Sequence, residues 1–148
     1  MFRPYVLLFA STLFLFANSV DAHLMISNAT VRLLPPSLPN TSAYFSVKNT
    51  ADHDIILVAA QTDIAQKAEL HNHVMQGQMM RMEQQDSVTI GAGQTVNFEP
   101  GGLHMMIFGL KAPLQKAQSV KLSLLTQGGD IITFNAIVSE PKPQAHHH

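Results

Sequence analysis

No cysteine occurs anywhere in the 148-residue chain. Its absence excludes thiol nucleophiles, disulfide frameworks, zinc fingers, iron–sulfur clusters and every copper site built on a thiolate. It also leaves no side chain to carry a lipoprotein's lipid. Charge is sparse as well: Asp, Glu, Lys and Arg make up 13% of the residues and leave a formal net charge of -1. Without a basic stripe to neutralise phosphates, nucleic-acid binding is not expected. No segment shows a long helical stripe, and neither an internal repeat nor a long linker divides the chain. One domain is expected at this length.

The amino-terminal 22 residues read as a leader. Arg3 supplies a positive start, Tyr5 to Ala17 is an uncharged apolar run, and Val20-Asp21-Ala22 ends on a small residue. This is the three-part pattern of a secretory signal peptide, with cleavage expected after Ala22. The run falls short of the roughly 20 apolar residues that span a bilayer, so no stable membrane anchor is expected after cleavage. The domain boundaries that follow are 1–22 for the signal peptide, 23–140 for a folded domain, and 141–148 for a mobile, His-containing tail.

Between those ends the chain alternates with the period of strands. Ala43, Phe45 and Val47 face one way in Thr41 to Asn49, as do Val120, Leu122 and Leu124, and then Ile132, Phe134, Ala136 and Val138. Strict alternation marks strands with one buried face. Turn signals separate them at Gly91-Ala92-Gly93, Pro100-Gly101-Gly102 and Gly128-Gly129-Asp130, the last predicting a hairpin. Strands are predicted near 24–33, 41–49, 54–60, 66–75, 79–85, 87–90, 94–99, 103–108, 119–127 and 130–138. Many short strands with regular turns predict an all-β, single-domain sandwich or barrel with Greek-key links.

Against the missing cysteines stand eight Met and eight His. Six Met (Met75, Met79, Met80, Met82, Met105 and Met106) and three His (His71, His73 and His104) fall in one stretch. Taken singly, each is more often core filler or a half-exposed strand residue. At these frequencies chance yields roughly 0.4 His-x-Met pairs, yet three occur: His23/Met25, His73/Met75 and His104/Met106. On strands, His104 and Met106 project from one face while Leu103, Met105 and Ile107 point into the core. His71 and His73 likewise share a face, and Met80 and Met82 another. The longer series is His71, ten residues, Met82, twenty-one residues, His104, one residue, Met106.

That series resembles the hallmark of the periplasmic PCu(A)C-type copper chaperones of bacteria. The likeness extends through Pro100 to Leu114, through Pro35-Pro36 and Asn40 to Phe45, and through Glu69-Leu70-His71, covering roughly residues 24–138. Several members carry Met directly after the first His, where this chain has Asn72. The resemblance implies a cupredoxin-like Greek-key β-sandwich without catalytic activity. It implies one Cu(I) near the surface, for delivery to the CuA domain of cytochrome c oxidase in the periplasm. A Sco-type thiol copper chaperone is a further expected partner.

The residue chemistry points the same way. Thioethers are soft, neutral donors that favour Cu(I), whereas zinc prefers Cys, His and carboxylate. His71, Met82, His104 and Met106 are therefore the expected Cu(I) ligands, with His73 and Met75 as auxiliary donors. Glu69 and Glu83 are candidates for orienting the imidazoles. A mature chain beginning at His23 would offer an amine and a ring nitrogen, with Met25 nearby, as a weaker copper contact. The same feature raises a different class of function, a copper enzyme using an amino-terminal His, which would need a further His supplied by the scaffold. His146, His147 and His148 read either as a metal-collecting tail for Cu(II) or as a purification tag, and His53 reads as a solvated loop residue. Two other readings stay open: a copper-buffering protein for scavenging or tolerance, and a plain interaction domain whose Met cluster is core.

Overall fold

The computed structural model describes residues 23–142. The signal-peptide segment and His146, His147 and His148 lie outside the described residues. Ten strands and no helix occur among those described: β1 (Leu24–Arg32), β2 (Thr41–Asn49), β3 (Ile55–Thr62), β4 (Ala65–Gln76), β5 (Met79–Gln84), β6 (Val88–Ile90), β7 (Thr95–Phe98), β8 (His104–Leu110), β9 (Ser119–Thr126) and β10 (Ile131–Ser139). All ten predicted strands are present, with ends that coincide or differ by at most two residues.

The sheet runs β5-β4-β8-β2-β1-β10-β9-β3-β6, and a further pairing of β3 with β4 closes it on itself. The fold is thus a barrel-like β-sandwich. Strands β5, β6 and β7 hang from it as short additions to β4, β3 and β2. Every pairing is antiparallel except β1 with β10. A bulge between Ser27 and Thr30, with Asn28 at a φ of 54°, bends β1 so that its second half reaches β10. Closure leaves few free edges for unwanted pairing.

Alternation explains the core. Ala43, Phe45 and Val47 of β2, Met105 and Ile107 of β8, and Val120, Leu122 and Leu124 of β9 are buried against one another. Phe45 stacks on Phe98 at 4.5 Å between ring centroids and meets Phe134 edge-on at 5.0 Å. Leu103 packs at the margin of this core. Met105 is ordinary filler, as its place in the alternation requires. The bland account of the methionines holds for this one.

Two local devices set the position of β8. At its end, Gly109 takes a φ of 70°, and its N–H donates to Asn40 Oδ1 at 3.0 Å. A Cβ here would stand 2.9 Å from the Gln66 side chain, so glycine serves both the conformation and the close approach. At its start, the Pro100-Gly101-Gly102 turn is closed by Glu99 N–H donating to the Leu103 carbonyl at 2.8 Å. His104 enters the strand immediately after that turn.

Candidate metal site

The outer face of β5-β4-β8 gathers the nitrogen and sulfur side chains. In the β4–β8 register, His71 stands opposite His104 and Glu69 opposite Met106. In the β4–β5 register, His73 stands opposite Met82 and Met75 opposite Met80. Directly paired residues share a face with Cβ atoms roughly 5 Å apart. The pairs that the sequence places on separate faces, His71/His73 and Met80/Met82, therefore lie on the same one. His104 and Met106 join them, and the four expected ligands come from three adjacent strands.

The imidazoles pack against each other. His73 and His104 are stacked at 5.0 Å between ring centroids, and His71 and His104 lie 5.9 Å apart. Two imidazoles bound to one ion at roughly 2.0 Å hold their ring centres at most about 6.3 Å apart, so both pairs are within reach of a shared ion. His73, expected only as an auxiliary donor, belongs to this central group. Because it sits one residue pair from the motif positions, spacing alone assigns it no place. Asn72 is paired with Glu83 on the reverse face, so neither it nor a residue in its place aims at the cluster.

Hydrogen bonds determine which nitrogens carry lone pairs. His104 is 2% exposed, and its Nδ1–H donates to the Gly102 carbonyl at 2.9 Å. Its Nε2 therefore holds the lone pair in the neutral ring. His71 Nε2–H donates to Glu69 Oε2 at 2.8 Å, which leaves the lone pair on Nδ1. Nδ1 of His71, Nδ1 of His73 and Nε2 of His104 are all buried with no hydrogen-bond partner among the described residues. A buried, unpartnered polar atom costs about 1–3 kcal/mol. Three together, on one face, are a cost that folding alone does not justify.

Glu69 is the orienting carboxylate, and Glu83 is not. The pairing with Asn72 puts Glu83 on the opposite face, correcting that expectation. Glu69 accepts from His71 and pairs with Lys67 Nζ at 3.0 Å, and Lys67 lies 4.8 Å over the Phe108 ring. The His71 hydrogen bond, then the Lys67 ammonium, hold the Glu69 carboxyl below its usual range despite partial burial. Removing this carboxylate frees the His71 ring to rotate. Glu69→Ala is expected to weaken metal binding about 10–100-fold, measured by competition with a chromophoric chelator. Unchanged affinity would deny Glu69 that role.

Burial, reinforced by the neighbouring His73 and His71, pushes His104 below the ordinary histidine value of 6.5, against an opposing pull from the Gly102 hydrogen bond. The folded ring thus stays neutral where the unfolded ring takes up a proton. Stability of the metal-free protein is therefore undiminished by this group above about pH 6.5. It falls by about 1.4 kcal/mol per pH unit as pH drops from there to the folded pKa, then levels off. Urea denaturation from pH 7.5 to pH 5 would detect this contribution as the part lost in His104→Leu. Equal pH slopes in the two proteins would contradict it.

The sulfur donors differ in setting. Met106 is half-buried, and its Sδ accepts a hydrogen bond from Ser42 Oγ at 3.5 Å. Met82 is 44% exposed on β5, with Met75, Met79 and Met80 still more exposed toward the hairpin tip. Among the described residues no three His, Cys, Asp or Glu side chains form a metal cage by themselves. A metal shell on this face would have to draw on the thioethers as well as the imidazoles, a donor set that favours a soft ion over zinc, magnesium or calcium. Of the remaining expected donors, His23 and Met25 sit at the start of β1, away from this face.

A closed β-sandwich with imidazoles and thioethers on one outer face defines a class of metal-binding domain. Residues 24–138 match the family described as "Putative lipoprotein LpqE-like", and the chain belongs to that family. A curated relative, "Putative lipoprotein Lxx21020" of Leifsonia xyli subsp. xyli, is 37% identical over 90 residues, 60% of this chain. The match spans 54% of that relative, so the chain covers about half of its length. Both descriptions use the word lipoprotein; the 148 residues contain no cysteine. Among solved structures, CuI-DR1885 from Deinococcus radiodurans is 33% identical, with 78% of this chain and 77% of that one covered at a TM-score of 0.64. The copper-bound PCuAC domain from PmoF2 has a TM-score of 0.68 over 80% of this chain and 94% of its own, and at 17% identity attests the fold alone.

Proposed function

We propose that the protein is an exported, non-catalytic copper(I) metallochaperone. His71, Met82, His104 and Met106 hold the ion, and His73 stands beside them as an additional donor. The observation that carries this reading is the set of three buried, unpartnered imidazole nitrogens on the face that bears the Met82 and Met106 side chains. The 33% identity to CuI-DR1885 supports the choice of metal.

The handling of the ion follows from the donors. All four are uncharged, so the Cu(I) keeps its full positive charge and is attracted to an anionic acceptor. Thiolates bind Cu(I) more strongly than thioethers do, and an incoming thiolate displaces the most exposed donor, Met82, first. His104, fixed by the Gly102 carbonyl, and His71, fixed by Glu69, keep the ion in place until exchange is complete. The client in this reading is the dithiolate CuA site of cytochrome c oxidase, in the periplasm.

Anaerobic titration of the mature protein is expected to show one tightly held equivalent of Cu(I). Mixing the loaded protein with a soluble CuA domain in its reduced form is then expected to transfer the copper. Absence of tight binding would overturn the metal site. Tight binding without transfer would retain the site but make the protein a copper buffer.

A further inference from the structure

We propose that the mature amino terminus forms a second copper site, for Cu(II), in which the His23 amine and imidazole and the His53 imidazole bind one ion. It is distinct from the outer-face cluster and stands whether or not that cluster holds Cu(I). It does require that the exported chain begin at His23.

The geometry begins with two rings from distant parts of the sequence. The His23 and His53 imidazoles lie 6.2 Å apart between centroids, at 78° to one another. That spacing is within the limit of about 6.3 Å for two imidazoles on one ion, near the arrangement in which they approach it from opposite sides. His53 belongs to the turn between β2 and β3, which the alternation pattern treats as solvated loop. Its side chain is indeed exposed, but the turn aims it at the start of β1.

Both residues are anchored through their backbones by consecutive residues at the end of β2. Asn49 is fully buried, and its Nδ2 donates to the His53 carbonyl at 2.8 Å and to the Ile90 carbonyl at 2.9 Å. Its Oδ1 accepts from Ala51 N–H at 2.9 Å, fixing the turn from within. Thr50 donates from its backbone N–H and its Oγ1 to the His23 carbonyl, at 2.8 and 3.0 Å. A mature chain starting at His23 would therefore have its first residue held, not fraying. Such preorganisation is what a two-residue metal site needs.

The donor chemistry selects the ion. His53 Nδ1–H donates to Asp52 Oδ1 at 3.0 Å, which directs the Nε2 lone pair outward and orients the ring as carboxylates do behind metal-binding histidines. An amino-terminal histidine contributes its amine and its own Nδ1 in one small chelate ring. Three nitrogens without sulfur favour Cu(II) in a square-planar setting, and Cu(II) binds more tightly than Ni(II) or Zn(II) at such sites. Ser42, beside Met106, and Asn49 are at opposite ends of β2, roughly 23 Å apart along the strand. The two sites thus sort copper by oxidation state at separate places.

The test uses the mature exported protein titrated with Cu(II) in air. One equivalent with nitrogen hyperfine structure in its electron paramagnetic resonance spectrum is expected at this site, besides any Cu(II) taken up by His146, His147 and His148. His53→Ala should weaken it at least tenfold, as should a chain that retains residues 17–22 ahead of His23. The same spectrum should persist in His104→Leu, which separates failure here from failure of the Cu(I) site. Amino-terminal sequencing that finds a start other than His23 would overturn the proposal. So would Cu(II) affinity that is indifferent both to His53→Ala and to the extension.

Discussion

His104→Leu is expected to lower Cu(I) affinity by about a hundred- to a thousandfold while leaving the metal-free fold almost as stable as before. Four-donor structural zinc sites are worth roughly 10–16 kcal/mol, and a Cu(I) site of similar worth assigns each donor about 2.5–4 kcal/mol. At 1.4 kcal/mol per decade, that is two to three decades of affinity. On the stability side two effects oppose each other. The leucine removes a buried Nε2 that has no partner among the described residues, and it also gives up the hydrogen bond to Gly102. Each is worth on the order of 1 kcal/mol, so the net change should stay within about 1 kcal/mol. Chelator competition and chemical denaturation on the same preparation check both halves. Unaltered affinity would remove His104 from the ligand set, and a large loss of stability would make it a structural residue.

Phe45→Ala should do the reverse. Phe45 is 2% exposed at the centre of β2, stacked on Phe98 and edge-on to Phe134. Truncating a buried phenylalanine costs about 3–5 kcal/mol in lost transfer energy and residual cavity. Domains of this kind are stable by only about 5–15 kcal/mol, so much of the margin goes. A fall in Tm of about 10–20 °C is expected by thermal denaturation. The molecules that remain folded should bind Cu(I) within a few-fold of the parent, because β4, β5 and β8 carry the donors. Saturating Cu(I) should then recover part of the Tm by mass action. A large drop in the intrinsic affinity of the folded fraction would mean that the site depends on the β2 core directly.

The ten strands were legible because the period-2 pattern and the glycine-rich turns agree almost everywhere. Alternation also assigned Met105 to the core and Met106 to the outer face without any three-dimensional information. What the sequence leaves out is how strands separated along the chain pair. The registers of β4 with β8 and with β5 merge the two apparent faces into one and raise His73 from accessory to neighbour of His104. Alternation already gives Glu69 the parity of His71 and His73 and turns Glu83 away from the face of Met82. The pairing of Asn72 with Glu83 places that second carboxylate on the reverse face of the whole cluster. His53 was missed for a related reason: loops carry no period, and its ring is aimed by Asn49, whose buried side chain looks like any turn asparagine in the sequence.

Among the described residues strand β5 pairs with β4 alone, and all six of its residues are exposed. Local opening there needs no rupture of the closed barrel, whereas β8, held on both sides by β4 and β2, opens only with the whole domain. The proposed copper shell, drawn from both strands, is therefore unequal in its mechanics. One sulfur rides on a flap that detaches at little cost, while an imidazole and the other sulfur stay fixed to the chassis. Uptake and surrender of the cargo can then follow one reversible path, with the hairpin folding back over the ion last and lifting away first.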